Sequence, residues 1–497
     1  MSRPAATPRM ERLELAPGLQ ISRLVTGLWQ IADMERDGRV LDLDATAAAM
    51  DAYVDAGYTT FDMADHYGSA EEIVGRYRTR GGRSRQTVQA LTKWVPEPGA
   101  VTAQDVRRAV ERALDRLGAS SLDLLQLHAW RYCDPAWLDG LFHLRELQEA
   151  GLVRHLGVTN LDAAHLEMAV ASGIELVSNQ VCFSLLDRRA DGEMTRVCRE
   201  RGVKLLAYGT LAGGLLSERY LGAPDTAADR LETWSRMKYR RFVEAAGGWE
   251  AFQALLRTLD RVARRLEVSI PQLACRWVLD QPAVGAVVIG ARLGESEHIA
   301  DNLRILELEI DPESRGEIDA ALEGLEPLPG DCGDEYRKPP FLTASGDLSH
   351  HVESFPPPYE TRPAGNGSSG RRLALSGTVW EDLAGFSRAV RQGDRISVSG
   401  TTATHGERVI GGDDPAAQAH FVIDKLEGAI ESLGGRLQDV VRTRVYVRDL
   451  ADWEPVARVH GERFGHVQPA NTLVRAEPVG DEYLVEMEAE AVVPAEV

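Results

Sequence analysis

The chain has 497 residues, 44% hydrophobic and 27% charged, the composition of a globular protein with more chain than one ordinary domain uses. A formal net charge of −20 opposes the basic surface that duplex nucleic acid or an anionic membrane requires, so neither is an expected partner. The five cysteines, Cys133, Cys182, Cys198, Cys275 and Cys332, form no CxxC pair and are odd in number, so no zinc site or disulfide framework is expected and a reducing cytoplasm is.

Met1–Met10 carries Arg and Pro but no apolar stretch of the signal-peptide kind, and no apolar run of about 18 residues follows that could cross a bilayer. From Ile21 to about Arg304 strand-like runs alternate with helical ones. The strand-like runs are Leu24–Leu28, Thr59–Asp62, Thr87–Thr92, Leu122–Leu127, Val153–Val158, Leu176–Val181, Val203–Ala207 and Ala286–Ile289. Amphipathic stretches such as Ala45–Ala56, Ala103–Leu117, Pro135–Ala150, Asp162–Ala171 and Pro271–Leu279 lie between them. Eight such strands, most followed by a helix, predict parallel strands with helical crossovers, closed into a (β/α)8 TIM barrel. An open doubly wound sheet competes, but it would carry a GxGxxG turn after its first strand, and none stands there. The barrel domain is placed at residues 1–327.

Over residues 328–372, Pro339-Pro340, Pro356-Pro357-Pro358 and Gly365-Asn366-Gly367-Ser368-Ser369-Gly370 predict a connector. His350 and His351 lie inside it without a Cys or carboxylate at ligand spacing, and are read as linker; no metal is expected. Residues 373–497 read as a small α+β domain. Its strands are Ser397–Ser399, Val440–Val447 and Leu484–Val492, and its helices Pro415–Leu433 and Trp453–Phe464.

In a barrel of this kind the loops at the C-terminal ends of the strands converge over the active site. Here those ends offer Asp62 with Tyr67-Gly68, Lys93, His128, Thr159-Asn160, Gln180, Tyr208 and Gly290-Ala291-Arg292. A phenol of pKa near ~10 is a sluggish acid; a neighbouring lysine ammonium favours phenolate, and a carboxylate holds the lysine charged. A histidine can orient a carbonyl oxygen, so the set suits hydride reaching carbon while a proton reaches oxygen. Singly, Asp62 reads as a cap or ion-pair partner, Lys93 as a surface lysine, His128 as a satisfied buried histidine and Tyr67 as packing. Their joint occurrence at successive strand ends points to catalysis.

These residues resemble the aldo-keto reductase family. Gly57-Tyr58-Thr59-Thr60-Phe61-Asp62-Met63-Ala64-Asp65-His66-Tyr67-Gly68 is similar to its signature, Leu91-Thr92-Lys93-Trp94 to its lysine segment, and Asp123-Leu124-Leu125-Gln126-Leu127-His128 to its histidine strand. The resemblance implies a catalytic set of Asp62, Tyr67, Lys93 and His128. It also implies NADP(H) bound in extended form without a Rossmann domain. Thr159, Asn160 and Gln180 would hold the nicotinamide amide, Tyr208 would stack on its ring, and Gly213 and Leu215, in Gly213-Gly214-Leu215-Leu216, would cover the pyrophosphate, with Gly209 and Leu211 as further cofactor contacts. Gly27, Trp29, Gly290, Arg292, His298, Asp301 and Asn302 complete the expected cofactor contacts, with Arg292 on the adenosine phosphate. Leu293 stands where the family often has a hydroxyl and His298 where it has Arg or Gln, so NAD(H) is kept beside a preferred NADP(H). Trp94 and Trp130 would wall the substrate pocket.

Residues 373–495 resemble the Rid (YjgF/YER057c/UK114) family through Gly385-Phe386-Ser387-Arg388-Ala389-Val390, Ser399-Gly400-Thr401-Thr402, Val441-Arg442-Thr443-Arg444-Val445-Tyr446-Val447-Arg448-Asp449 and Val485-Glu486-Met487-Glu488-Ala489. That family's hydrolytic members grip a carboxylate with an arginine after Pro-Ala. Here Asn471 follows Pro469-Ala470, Phe386 replaces a common tyrosine, and Glu486 alone of the expected cleft set remains. The resemblance therefore implies a domain inactive in imine hydrolysis, or one with another ligand, whose structural role is a homotrimeric hub. Three readings follow: a carbonyl reductase acting on small molecules, a non-catalytic nucleotide-binding module on a trimeric hub, and a bifunctional reductase and imine deaminase.

Overall fold

The computed structural model describes residues 9–35, 38–80, 88–225, 233–337, 354–365 and 370–494. His350 and His351 lie outside the described residues. Eight parallel strands close into a barrel: β1 (Leu24–Gly27), β2 (Thr60–Asp62), β3 (Gln89–Trp94), β4 (Leu124–His128), β5 (Leu156–Thr159), β6 (Ser178–Cys182), β7 (Lys204–Tyr208) and β8 (Val284–Gly290). β8 pairs with both β7 and β1, which completes the ring. Nearly every strand residue is buried, as expected where helices cover the outside and side chains fill the inside. The observed strands begin one to three residues later than most of the predicted ones, so the polar end residues belong to the strands themselves.

The crossover helices carry their own stop signals. The helix Ala103–Leu117 begins at a capping box between Thr102 and Asp105, and ends at Gly118, which adopts φ +58°. An N-terminal hairpin, Arg12–Ala16 with Leu19–Ser22, closes the far end of the barrel. Its Leu15, Leu19 and Ile21 pack on Val25, Leu91, Leu124, Leu206 and Ala286. Between β7 and β8 the chain adds two helices that the sequence reading omits, Trp234–Ala245 and Gly248–Arg265. The second buries Phe252, Leu255, Leu256, Leu259, Val262 and Ala263, a helical period that was there to be read.

The C-terminal domain is a seven-stranded sheet with helices on one side. Its strands are β9 (Glu360–Pro363), β10 (Arg371–Leu375), β11 (Ala389–Gln392), β12 (Arg395–Thr402), β13 (Val440–Val447), β14 (Ala470–Arg475) and β15 (Val485–Val492), ordered β9-β10-β11-β12-β15-β13-β14. Two pieces of the stretch read as a connector are thus regular: β9 joins this sheet, and Asp334–Arg337 forms a short helix. The helix Pro415–Ser432 is capped by Asp414 and buried on nearly all sides. One side lies on the sheet and the other on the barrel helix Ala163–Ala171, which is why its apolar positions do not form a single stripe. Among the described residues no helix is long and apolar enough to cross a membrane.

Candidate active site

β2 and β3 are neighbours in parallel register, so Asp62 and Lys93 meet inside the barrel. Lys93 Nζ lies 2.7 Å from each Asp62 oxygen and donates to the Met63 carbonyl at 3.0 Å. Both side chains are buried. Burial draws the Lys93 ammonium below the usual lysine range, and the Asp62 carboxylate works against that shift. Gln180 on β6 donates Nε2 to Asp62 Oδ1 at 2.8 Å, so the carboxylate is held from two strands. The Tyr67 ring centre stands 5.0 Å from Lys93 Nζ, with Trp29 and His66 edge-on at 5.0 and 4.8 Å. The loop carrying Tyr67 is fastened by Glu35, which accepts from Ser69 N at 2.9 Å. A Cβ at Gly68, where φ is +55°, would fall 1.9 Å from Glu35 Oε2, so only glycine permits this closure.

His128 ends β4 fully buried, and neither ring nitrogen has a hydrogen-bond partner among the described residues. Burial, with Arg337 and His66 adding to it, lowers its pKa to about 3, so the imidazole is neutral at physiological pH. Trp130 meets it edge-on at 4.7 Å and Tyr336 at 5.7 Å. Next round the barrel, Thr159 Oγ1 donates to the Gln180 carbonyl at 3.0 Å, and the Tyr208 hydroxyl donates to Asn160 Oδ1 at 2.8 Å.

A cavity of about 330 Å³ opens at these strand ends. Its walls include Gly27, Trp29, Asp62, Tyr67, Lys93, Thr159, Asn160, Gln180, Tyr208, Gly209, Leu211, Gly213 and Gly290, most of the catalytic and cofactor residues expected from sequence. A Cβ at Gly209 would lie 2.2 Å from the Tyr239 hydroxyl, and one at Gly290 2.5 Å from Gln30 Oε1, so backbone itself forms part of the wall. Amides, a tyrosine face and glycine backbone in one cavity are a donor set that fits a nicotinamide nucleotide.

Other expected residues stand elsewhere. Trp94 packs outward, its ring 3.7 Å from a Cβ position at Gly140, because it follows the inward Lys93 on a strand and must face the opposite way. Trp130 and His128 line a second, smaller cavity beside Phe355, and Trp130 Nε1 donates to the Pro96 carbonyl at 2.6 Å. Leu215 is core. Arg292, His298, Asp301 and Asn302 sit outside the cavity lining, in the turn after β8 and the start of the helix Ile299–Glu307. Arg292 is ion-paired with Asp33 at 2.5 Å and lies 3.6 Å from Glu295.

Two residues at the mouth escaped the sequence reading. Tyr336, from the short helix after the barrel, enters the cavity wall, where its hydroxyl accepts from Lys238 Nζ at 2.5 Å and lies 3.4 Å from that of Tyr208. Arg337 beside it donates to the Asn160 carbonyl at 2.6 Å. No periodicity marks either residue; their neighbourhood to the site arises only when the chain doubles back over the barrel.

In the C-terminal domain, Asn471 donates to Thr443 Oγ1 at 2.9 Å on the helix side of the sheet. Glu486 alternates with the helix-facing Val485 and Met487, and so lies on the open face. Arg388 stands near Glu486, and its guanidinium lies 5.8 Å from the Phe386 ring centre. Phe386, Asn471 and Glu486 therefore do not gather into one cleft within a single copy.

Comparison with known proteins agrees with both halves of the chain. The model of the Aldo/keto reductase family matches residues 23–323 and that of Endoribonuclease L-PSP, the Rid family, residues 380–493. The chain belongs to the aldo/keto reductase family, an oxidoreductase family, and carries a Rid-family domain behind the barrel. It is similar to the aldo-keto reductase YhdN of Bacillus subtilis, 27% identical over 65% of this chain and 96% of that protein. It is also similar to the NADH-specific methylglyoxal reductase of Escherichia coli, 24% identical over 59% and 92%. Its C-terminal part is similar to protein SCO2049 of Streptomyces coelicolor, 38% identical over 24% and 90%.

Proposed function

We propose that the barrel is an NAD(P)H-dependent reductase that interconverts a carbonyl (aldehyde, ketone or lactol) and an alcohol. The observation that carries this reading is the Lys93 ammonium locked between Asp62 and the face of Tyr67 in the wall of the barrel cavity. A bound nicotinamide would supply the hydride. Tyr67 then delivers the proton to the carbonyl oxygen, and Lys93 favours the phenolate left behind. Asp62, itself oriented by Gln180, keeps Lys93 charged in a buried place. His128, neutral and lining the smaller cavity beside the barrel mouth, is the group assigned to orient the carbonyl by hydrogen bonding.

Asn160, Thr159 and Gln180 would hold the nicotinamide amide, Tyr208 would face its ring, and the backbone from Gly209 to Gly213 would meet the pyrophosphate. Arg292 bears on the choice of nucleotide. A 2′-phosphate there must displace the Asp33 carboxylate, which weakens the NADP(H) preference that Arg292 suggests and keeps NAD(H) in view. The relative specific for NADH supports keeping both.

The C-terminal domain is proposed as a trimeric hub. The barrel covers its helical side, while the opposite sheet face, with Arg444, Glu486 and Glu488, is open and the surface exposes Trp380, Leu383 and Trp453. Five buried, unpaired cysteines support a reducing, cytoplasmic setting. The test is quenching of protein fluorescence by NADPH and by NADH, followed by their oxidation with a panel of small aldehydes and ketones. Binding and turnover with at least one pair is expected; no binding of either nucleotide would refute the reading.

A further inference from the structure

Asn160 adopts φ 59°, an uncommon conformation for a residue with a side chain and one that its surroundings must hold. Arg337 is part of that hold. Its Nη1 donates to the Asn160 carbonyl at 2.6 Å and its Nη2 to the Cys332 carbonyl. The approach depends on Gly333, with φ +80°, where a Cβ would lie 2.2 Å from the Asn160 oxygen.

The other side of the guanidinium faces the C-terminal domain through a continuous stack. It lies 4.4 Å from the Tyr132 ring centre, and Tyr132 stacks on His165 at 3.3 Å with 6° between planes. His165 Nδ1 meets Asp162 Oδ1 at 2.6 Å, and its Nε2 meets Asp424 Oδ2 at 2.9 Å. A carboxylate at each ring nitrogen makes both nitrogens donors, so the ring is an imidazolium. Asp424 belongs to the helix Pro415–Ser432 of the C-terminal domain, and Arg463 donates to it at 2.6 Å. Gly428 of the same helix touches the barrel closely: a Cβ there would lie 2.5 Å from the Cys133 carbonyl.

Asp162 feels two cations, His165 and Arg337. While Asp424 is docked, His165 is gripped on both sides, stays charged and neutralises Asp162. Arg337, with Asp334 3.9 Å from its Nε, is then left to hold the Asn160 carbonyl through Nη1. Without Asp424 the imidazole would keep only Asp162 and hold its charge less firmly, so Asp162 would be less fully neutralised and would draw more on Arg337.

We propose that Arg337 is a positioning residue for the amide clamp at Asn160, and that the docked C-terminal domain holds it there through Asp424 and His165. Nicotinamide nucleotide then binds tightly only when the two domains are in contact. The inference rests on the reading of Asn160 as a cofactor residue. Because coupling between sites is reciprocal, bound nucleotide also tightens the interdomain contact.

The experiment titrates full-length protein with NADPH and NADH by fluorescence, comparing wild type, Arg337→Met, Asp424→Asn and Gly428→Ala. Each substitution is expected to raise the nucleotide Kd about 10-fold, within the usual range of coupling between sites, and to raise the KM for nucleotide without changing the KM for the carbonyl substrate. Hydrogen exchange on the wild type gives a second measurement that needs no variant: nucleotide should slow exchange in residues 415–432. A wild type that binds neither nucleotide overturns the inference together with the function proposed above. Tight nucleotide binding, unchanged in Asp424→Asn and Arg337→Met, overturns the inference alone. So does wild-type nucleotide binding that leaves exchange in 415–432 unaltered.

Discussion

Lys93 presents its ammonium to the face of Tyr67, 5.0 Å from the ring centre, although 26 positions separate the two in the chain. Neither group is remarkable alone. Together, with Asp62 at 2.7 Å behind the lysine, they set a phenol, an ammonium and a carboxylate side by side in the wall of one cavity.

Removing that phenol's proton separates binding from chemistry. In Tyr67→Phe the ring and its contacts with Trp29 and His66 can persist, so nucleotide binding by fluorescence titration should be nearly unchanged. Turnover should fall at least ~100-fold, the usual scale for losing a positioned proton donor. Undiminished turnover would remove Tyr67 from the mechanism.

Asp62→Ala strands a buried ammonium. Lys93 would keep only the Met63 carbonyl, and the Gln180 amide would lose its acceptor. Breaking a buried ion pair from one side costs about 3–5 kcal/mol, which should appear as a lowered urea midpoint alongside lost turnover. An unchanged midpoint would mean that the pair contributes nothing to stability.

The interdomain contact should weaken at high pH. Burial would lower the His165 pKa, but Asp162 and Asp424 outweigh it and raise the value to about 9. Tyr132 and His420 also face the ring, while Arg337 acts on Asp162 and Arg463 pairs with Asp424. A pKa raised on folding contributes stability that is complete below the unfolded value, about 6.5, and is lost as pH rises through 9. Limited proteolysis between the domains should therefore be faster at pH 10 than at pH 7. In Asp424→Asn the difference should shrink; equal rates for the wild type at both pH values would contradict the assignment.

Assembly is checked by mass. Sedimentation of the full chain should give about three times the 54.5 kDa of one copy, and removal of residues 365–497 should abolish the trimer. A monomer for the full chain would refute the hub.

Much of the site was legible because barrel strands are local. Each strand is a short apolar run, and its last polar residue necessarily stands at the mouth; Asp62, Lys93, Thr159, Gln180 and Tyr208 all follow from that rule. Trp94 shows where the rule stops. Standing next to Lys93 in the chain places it on the other face of the strand, so it packs toward Gly140 instead of walling the cavity. Arg292 shows a second limit: its residue type suits a phosphate, but only the fold reveals that Asp33 already holds it.

The order of strands and helices, the eight-fold repeat and the chemistry at the strand ends were determined by the amino-acid sequence itself, because each depends on residues a few positions apart. The meeting of His165 with Asp424, 259 positions away, and the entry of Tyr336 and Arg337 into the barrel mouth were decided only by the tertiary structure. Contacts of that range leave no periodicity in a single chain: which charge is buried against which is set by how helices and loops come to rest on one another.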